Sequence, residues 1–219
     1  MCKLKDWISS EYLEPKNIKN LILKINKDNY LVFKDFFRKD VIEKFINDFD
    51  KNEKIVIAEE NYLNWVAYVK WCKVYWDFLI KFKNFIESNL FLNYLSLFIW
   101  KKLDFYFEED LSLEQIEYIK NEKWLIIQCF EGKHYMNWHD DIWNDLIYLF
   151  YLNNNWKEEY GWLLELWRKI DDSIIKFNYV IPKINTFVLL RPKNKFFHRV
   201  SKIKEKKERY WIVKFLKFT

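Results

Sequence analysis

His139 and Asp141 stand two positions apart in the stretch MNWHDDIW, residues 136–143. The chain has three histidines, His134, His139 and His198. On a β-strand, residues i and i+2 project from one face, so His139 and Asp141 could reach one metal ion together. A second imidazole would complete a set of two histidines and one carboxylate. Such a set holds a divalent transition metal and leaves coordination positions open for reactants. His134, in the turn-like EGKHY, and His198, in FFHRV after an apolar run, are the two candidates, and His198 is the better placed. The competing reading of the H-x-D pair is a surface histidine in a polar loop.

A second feature lies near the C-terminus. In RYWIVKFL, residues 209–216, Arg209, Trp211, Val213 and Phe215 share one strand face. A cation on an apolar face is costly unless an anion meets it. Guanidinium suits bidentate binding of a carboxylate. Arg209 is therefore a candidate anchor for an acidic small molecule. Its alternatives are a solvated strand start or a structural ion pair.

The elements that must position these residues fall into two groups. The run YLVF (30–33) reads as a strand. RKDVIEKFINDF then carries Ile42, Phe45, Ile46 and Phe49 at helical spacing, with Asp40 as its expected N-cap. A second helix is expected from about Val74 to Glu87, with Tyr75, Phe78, Leu79, Phe82 and Ile86 on one face. A third is expected over 90–100, and Ser112 with Gln115 forms a capping-box pattern. After Lys123 the pattern changes to short β-rich runs. These are 124–130, 146–152, 162–167, 174–181, 186–190 and 209–216, separated by polar turns. Their even spacing points to a sandwich or barrel. The chain reads as one domain over 1–219, with a mainly helical support region at 1–123 and a β-rich core at 124–219.

Composition narrows the function classes. The net charge is +5, with lysines and acids interspersed. That is a solvated surface, which argues against a nucleic-acid stripe. Cys2, Cys72 and Cys129 form no zinc or redox motif. The N-terminus lacks an apolar signal core, and the longest apolar run, 90–100, is too short to span a bilayer. A cytoplasmic protein without membrane contact is expected. Two glycines occur where average usage predicts roughly 15. Twelve tryptophans accompany them. That imbalance is expected if the source reads a stop codon as glycine.

Taken in order, CFEGKHYMNWHDD, YLFYLNNNWKEEYGWLLELW, IPKINTFVLLRP, FFHRV and ERYWIVKF resemble the 2-oxoglutarate- and Fe(II)-dependent dioxygenases. The likeness is to the prolyl 4-hydroxylase branch, including Egl-9-type and ribosomal-protein prolyl hydroxylases, and covers roughly 124–216. It implies an α+β fold, a double-stranded β-helix (jelly roll, cupin-like) with N-terminal helices packed against it. It implies His139, Asp141 and His198 as ligands of Fe(II). Arg209 and Tyr151 would bind the distal carboxylate of the cosubstrate 2-oxoglutarate, with ascorbate as accessory reductant. Asn185 matches a turn asparagine and reads as structural. The implied reaction is O2-dependent hydroxylation of a prolyl residue in a peptide or protein, yielding succinate and CO2. Asp141 leaves no vacant position for a halide, which disfavours halogenation. Alternatives are a free amino acid, a small molecule or alkylated nucleic acid as substrate, or a degenerate fold kept as a binding module. Two positions depart from the pattern. Phe130 replaces a tyrosine and cannot donate a hydrogen bond. Trp162 replaces the second glycine of a GG pair, where it could crowd the site.

Overall fold

The computed structural model describes residues 3–51, 53–62, 67–74, 77–105, 125–131, 135–193, 195–204 and 207–219. His134 and the Ser112–Gln115 capping pattern lie outside the described residues. The helices are α1 (Pro15–Asp28), α2 (Lys39–Lys51), α3 (Asp77–Ile86) and α4 (Asn89–Ser96). The N-terminal strands are β1 (Tyr30–Phe33), β2 (Ile55–Tyr62), β3 (Ala67–Val74) and β4 (Leu103–Phe105). Then come β5 (Leu125–Glu131), β6 (Met136–His139), β7 (Leu146–Tyr151) and β8 (Leu164–Ile170). β9 (Ser173–Val180), β10 (Phe187–Leu190), β11 (Phe196–Val200) and β12 (Glu208–Phe218) complete the chain.

Among the described residues, all pairings between these strands are antiparallel. The large sheet runs β1-β10-β7-β12-β5-β3-β2, with β4 also on β12, and the small one runs β6-β11-β8-β9. Together they form the jelly-roll core that the resemblance implied, within the sandwich or barrel expected from the strand spacing. β7 explains how the layers are built. All six of its residues, LIYLFY, are buried. Alternation sends Ile147, Leu149 and Tyr151 to the core between the sheets. Tyr148 and Phe150 join the core beneath the helices. There Phe150 meets Phe37 and Phe82, at ring separations of 4.9 and 5.5 Å. Phe45 of α2 meets Phe82 of α3 at 4.8 Å. The apolar stripes of α2 and α3 thus cover the outer face of the large sheet, which otherwise would be wet.

Several expectations shift in detail. Asp40 is not the N-cap of α2. It lies inside the first turn and takes both Nε and Nη2 of Arg38, at 2.9 and 3.1 Å. The helix expected from Val74 starts at Asp77, because Val74 ends β3. The strand expected at 162–167 runs from Leu164 to Ile170. Its start is delayed because Gly161 and Trp162 both have positive φ, 79° and 50°. α1 was missed, although Ile18, Leu21, Ile22 and Ile25 carry the helical spacing and Asn29 closes it in the left-handed region. The hairpin β2–β3 was missed as well. The expected helical support region therefore also delivers β1 to β4 to the large sheet. Among the described residues, no helix is long and apolar enough to cross a membrane.

Asn185 has the structural role expected of it. At φ 60° it turns the chain before β10. Its side chain accepts from Phe37 N and donates to Phe37 O, each at 2.9 Å. That clamp fixes the approach of α2 to the sheets.

Candidate metal centre

His139 ends β6 and His198 sits in the middle of β11. The two are direct partners in the β11–β6 ladder. Their ring centroids lie 4.0 Å apart, and only 7% and 5% of each residue is exposed. Asp141 follows β6 and turns in the left-handed region at φ 47°. The same-strand argument for His139 and Asp141 therefore needs correction. The strand has ended, and a turn closed by Asn144 N donating to Asp141 O swings the carboxylate inward. Asp141 Oδ2 lies 3.5 Å from His139 Nε2 and 3.3 Å from His198 Nε2. One donor atom from each of the three residues falls within 4.8 Å of the others.

The local chemistry prepares these atoms for a cation. His139 Nδ1 lies 2.8 Å from Asn137 O, so a proton on Nδ1 is held there and the Nε2 lone pair faces the carboxylate. Burial pushes the His139 pKa down to about 3, reinforced by the neighbouring His198 and only partly opposed by Asp141. The ring is therefore neutral at pH 7, as a metal ligand must be. Burial alone would raise the Asp141 pKa, but His198 and His139 outweigh it and hold the carboxyl below its ordinary value. Two imidazoles and one carboxylate, partly closed from water, fit Fe(II).

Arg209 lies at the start of β12, opposite Phe130 of β5. It is 2% exposed. Its guanidinium carbon stands 4.8 Å from the Trp211 ring, 5.0 Å from Tyr151 and 5.7 Å from Phe130. Among the described residues, no carboxylate pairs with it. Arg209 Nε and Nη1 and the Tyr151 hydroxyl are buried without hydrogen-bond partners of good geometry. Burial lowers the pKa of Arg209, partly offset by Tyr151. Burial likewise raises the Tyr151 phenol, against the pull of Arg209. Among the described residues these three atoms, two on the guanidinium and one on Tyr151, have no acceptor or donor of good geometry, and an anion with several acceptor oxygens would satisfy them.

The two parts border one core. Leu166 of β8, the partner of His198, packs in the cluster that holds Phe130, Tyr151 and Trp211. Phe130 is buried against Trp211 at 4.6 Å and Trp162 at 5.9 Å, so it supplies a wall and no hydrogen bond. Sequence reasoning missed Asn153. This buried side chain accepts from Tyr210 N at 2.6 Å and donates to Pro182 O and Tyr210 O, at 2.9 and 3.1 Å. It pins the start of β12 and thereby places Arg209. Its position two residues after Tyr151 was the available signal.

Residues 125–217 match the family model described as the 2OG-Fe(II) oxygenase superfamily. No curated protein matches the chain in sequence. Solved structures share the fold. A Pseudomonas putida prolyl-4-hydroxylase matches at TM-score 0.53 and 9% identity, over 92% of this chain and 99% of its own. A Trichoplax adhaerens prolyl hydroxylase in complex with a hypoxia inducible factor peptide matches at 0.50 and 14%, over 94% of each chain. The non-heme alpha ketoglutarate dependent epimerase SnoN, from nogalamycin biosynthesis, matches at 0.61 and 8%, over 94% of this chain and 84% of its own.

Proposed function

We infer that this chain, whose residues 125–217 form a 2OG-Fe(II) oxygenase core, hydroxylates a prolyl residue of a peptide or protein at the expense of 2-oxoglutarate and O2. One observation carries the reading. A buried His-Asp-His set and a buried Arg209, with no carboxylate partner among the described residues, border the same core. His139, Asp141 and His198 would hold the Fe(II). When bound, the metal supplies O2 activation coupled to oxidative decarboxylation of 2-oxoglutarate to succinate and CO2.

The remaining work belongs to the protein. Arg209 and Tyr151 bind the distal carboxylate of the cosubstrate by charge-assisted hydrogen bonds, which their orphaned donors favour. Asn137 O orients His139 through Nδ1. Phe130, Trp211 and Leu166 keep water from the pocket. Prolyl substrates are favoured because prolyl hydroxylases recur among the structural neighbours, one of them holding a peptide. A small-molecule substrate is the second reading, favoured by the fold match to the epimerase SnoN.

Anaerobic titration of the protein with Fe(II) and 2-oxoglutarate tests the site. A visible charge-transfer band is expected in the wild type, lost in His198→Ala and weakened in Arg209→Ala. No band from folded wild-type protein would overturn the oxygenase reading. Proline-containing peptides should then gain the mass of one oxygen. Oxidation of small molecules alone would replace the prolyl assignment.

A further inference from the structure

Nine residues other than glycine have positive φ among the described residues. Six are Asn or Asp, whose short polar side chains tolerate the left-handed region, and one is Lys195. The other two are Trp100, at φ 56°, and Trp162, at φ 50°. A bulky side chain there is a steric outlier, while glycine takes it freely.

Both positions carry the local signature of glycine. After α4, Leu97 N bonds Tyr94 O, Phe98 N bonds Leu95 O and Ile99 N bonds Ser96 O, so the helical winding runs on to residue 99. Residue 100 then reverses it, as a glycine past a helix end does. The Trp100 ring is 77% exposed and makes no ring contact among the described residues. A tryptophan selected for packing would not sit there. Residue 162 follows Gly161, which is pressed so closely on the backbone that an added Cβ would meet Lys202 O at 2.3 Å. The Trp162 ring is buried, stacked on Trp156 and 5.9 Å from Phe130. Phe130 in turn faces the Arg209 guanidinium.

Other tryptophans behave differently. Trp7, at φ −120°, stacks on Phe85 at 4.7 Å. Trp156 donates its indole N–H to Gly161 O at 3.1 Å. Trp211 packs against Arg209 and Phe130. Among the described residues the anomaly is thus confined to Trp100 and Trp162, in a chain with 12 tryptophans and 2 glycines.

We propose that residues 100 and 162 are glycine in the protein its own host makes, each encoded by a UGA codon that the host reads as glycine where another decoding gives tryptophan. Glycine at 162 also empties the space beside Phe130 and widens the pocket that Arg209 anchors; this second part rests on the anchor role given to Arg209 above.

Two measurements test the two parts separately. Mass spectrometry of tryptic peptides 84–101 and 158–168, from protein purified from the native host, should find each lighter by the tryptophan-to-glycine difference. Tryptophan at residue 100 or at residue 162, read from the fragment ions, overturns the decoding. In recombinant protein, Trp100→Gly should melt a few degrees above Trp100→Ala, roughly as expected for a chain of this size. The exposed ring is removed in both, so the difference reports the backbone alone. An alanine variant as stable as the glycine one would contradict the backbone argument. For the pocket, Trp162→Gly should bind 2-oxoglutarate more tightly than the wild type, read as a fall in Kd. Equal or weaker binding by the folded variant overturns that part, whatever the peptide masses show.

Discussion

Replacing Arg209 with Met should separate ligand binding from stability in opposite ways. The substitution keeps an apolar stem against Trp211, Tyr151 and Phe130 and removes the cation. Three ring faces at 4.8, 5.0 and 5.7 Å stabilise the guanidinium by roughly 0.5–2 kcal/mol each. Against this stands a desolvation penalty of several kcal/mol for a buried ion without an anionic partner. The two nearly cancel, so Arg209→Met should change the stability of the ligand-free protein by less than about 2 kcal/mol. Breaking a satisfied buried ion pair would instead cost about 3–5 kcal/mol. With ligand the contrast reverses. At a 2-oxoglutarate concentration of about 100 times Kd, the wild type should gain about 2.7 kcal/mol. For a chain of this size that is roughly 5–11 °C in Tm. Arg209→Met should lose most of this shift, because two charge-assisted bonds of about 1.5–3 kcal/mol each disappear. Calorimetry of metal-loaded protein, with and without 2-oxoglutarate under anaerobic conditions, reads both quantities. A loss of 3 kcal/mol or more in the ligand-free variant, with the ligand shift intact, would refute the reasoning and make Arg209 a structural ion-pair residue.

Asn153→Ala should lower stability by about 1–3 kcal/mol, because Tyr210 N loses its acceptor at a buried site. It should also weaken 2-oxoglutarate binding, since Arg209 is the next residue; unfolding and isothermal titration would show whether both fall together. Glu165 accepts from Arg199 and from Lys176 at 3.2 Å. Burial would raise its pKa, but the two cations hold it below the ordinary 4.5. A depressed carboxyl contributes stability above its unfolded pKa and loses it as pH falls through the folded value. Glu165→Gln should therefore be less stable than wild type at pH 7, by about 1 kcal/mol. The gap should close below pH 4.5, and a gap that persisted in acid would count against an ionic origin. Phe150→Ala should cost about 3–5 kcal/mol, since it empties a position between Phe37, Phe45 and Phe82. A denaturant midpoint unchanged by that substitution would contradict the two-layer core.

Residues close in sequence were legible because their periodicity is local. YLVF and LIYLFY read as strands from β-branched and aromatic runs alone, and α2 from its spacing of Ile42, Phe45 and Phe49, while β11 over FFHRV was not among the expected strands. The H-x-D pair announced metal chemistry by residue type. α1 carried the same kind of signal and was still missed. The β2–β3 hairpin was not legible, since β3 joins the sheet by pairing with β5, a partner more than fifty residues away, and β2 pairs only with β3. Three features of the site were decided only by the tertiary structure. The β11–β6 ladder sets the ring of His198, already preferred in the sequence, against that of His139, because strand register, not spacing, brings the two together. A turn in the left-handed region, not strand alternation, aims Asp141 at both imidazoles. The loneliness of Arg209 exists only in three dimensions. Sequence could place a cation on an apolar face, but only the packing of Phe130, Tyr151 and Trp211 around it shows that no carboxylate among the described residues meets it there.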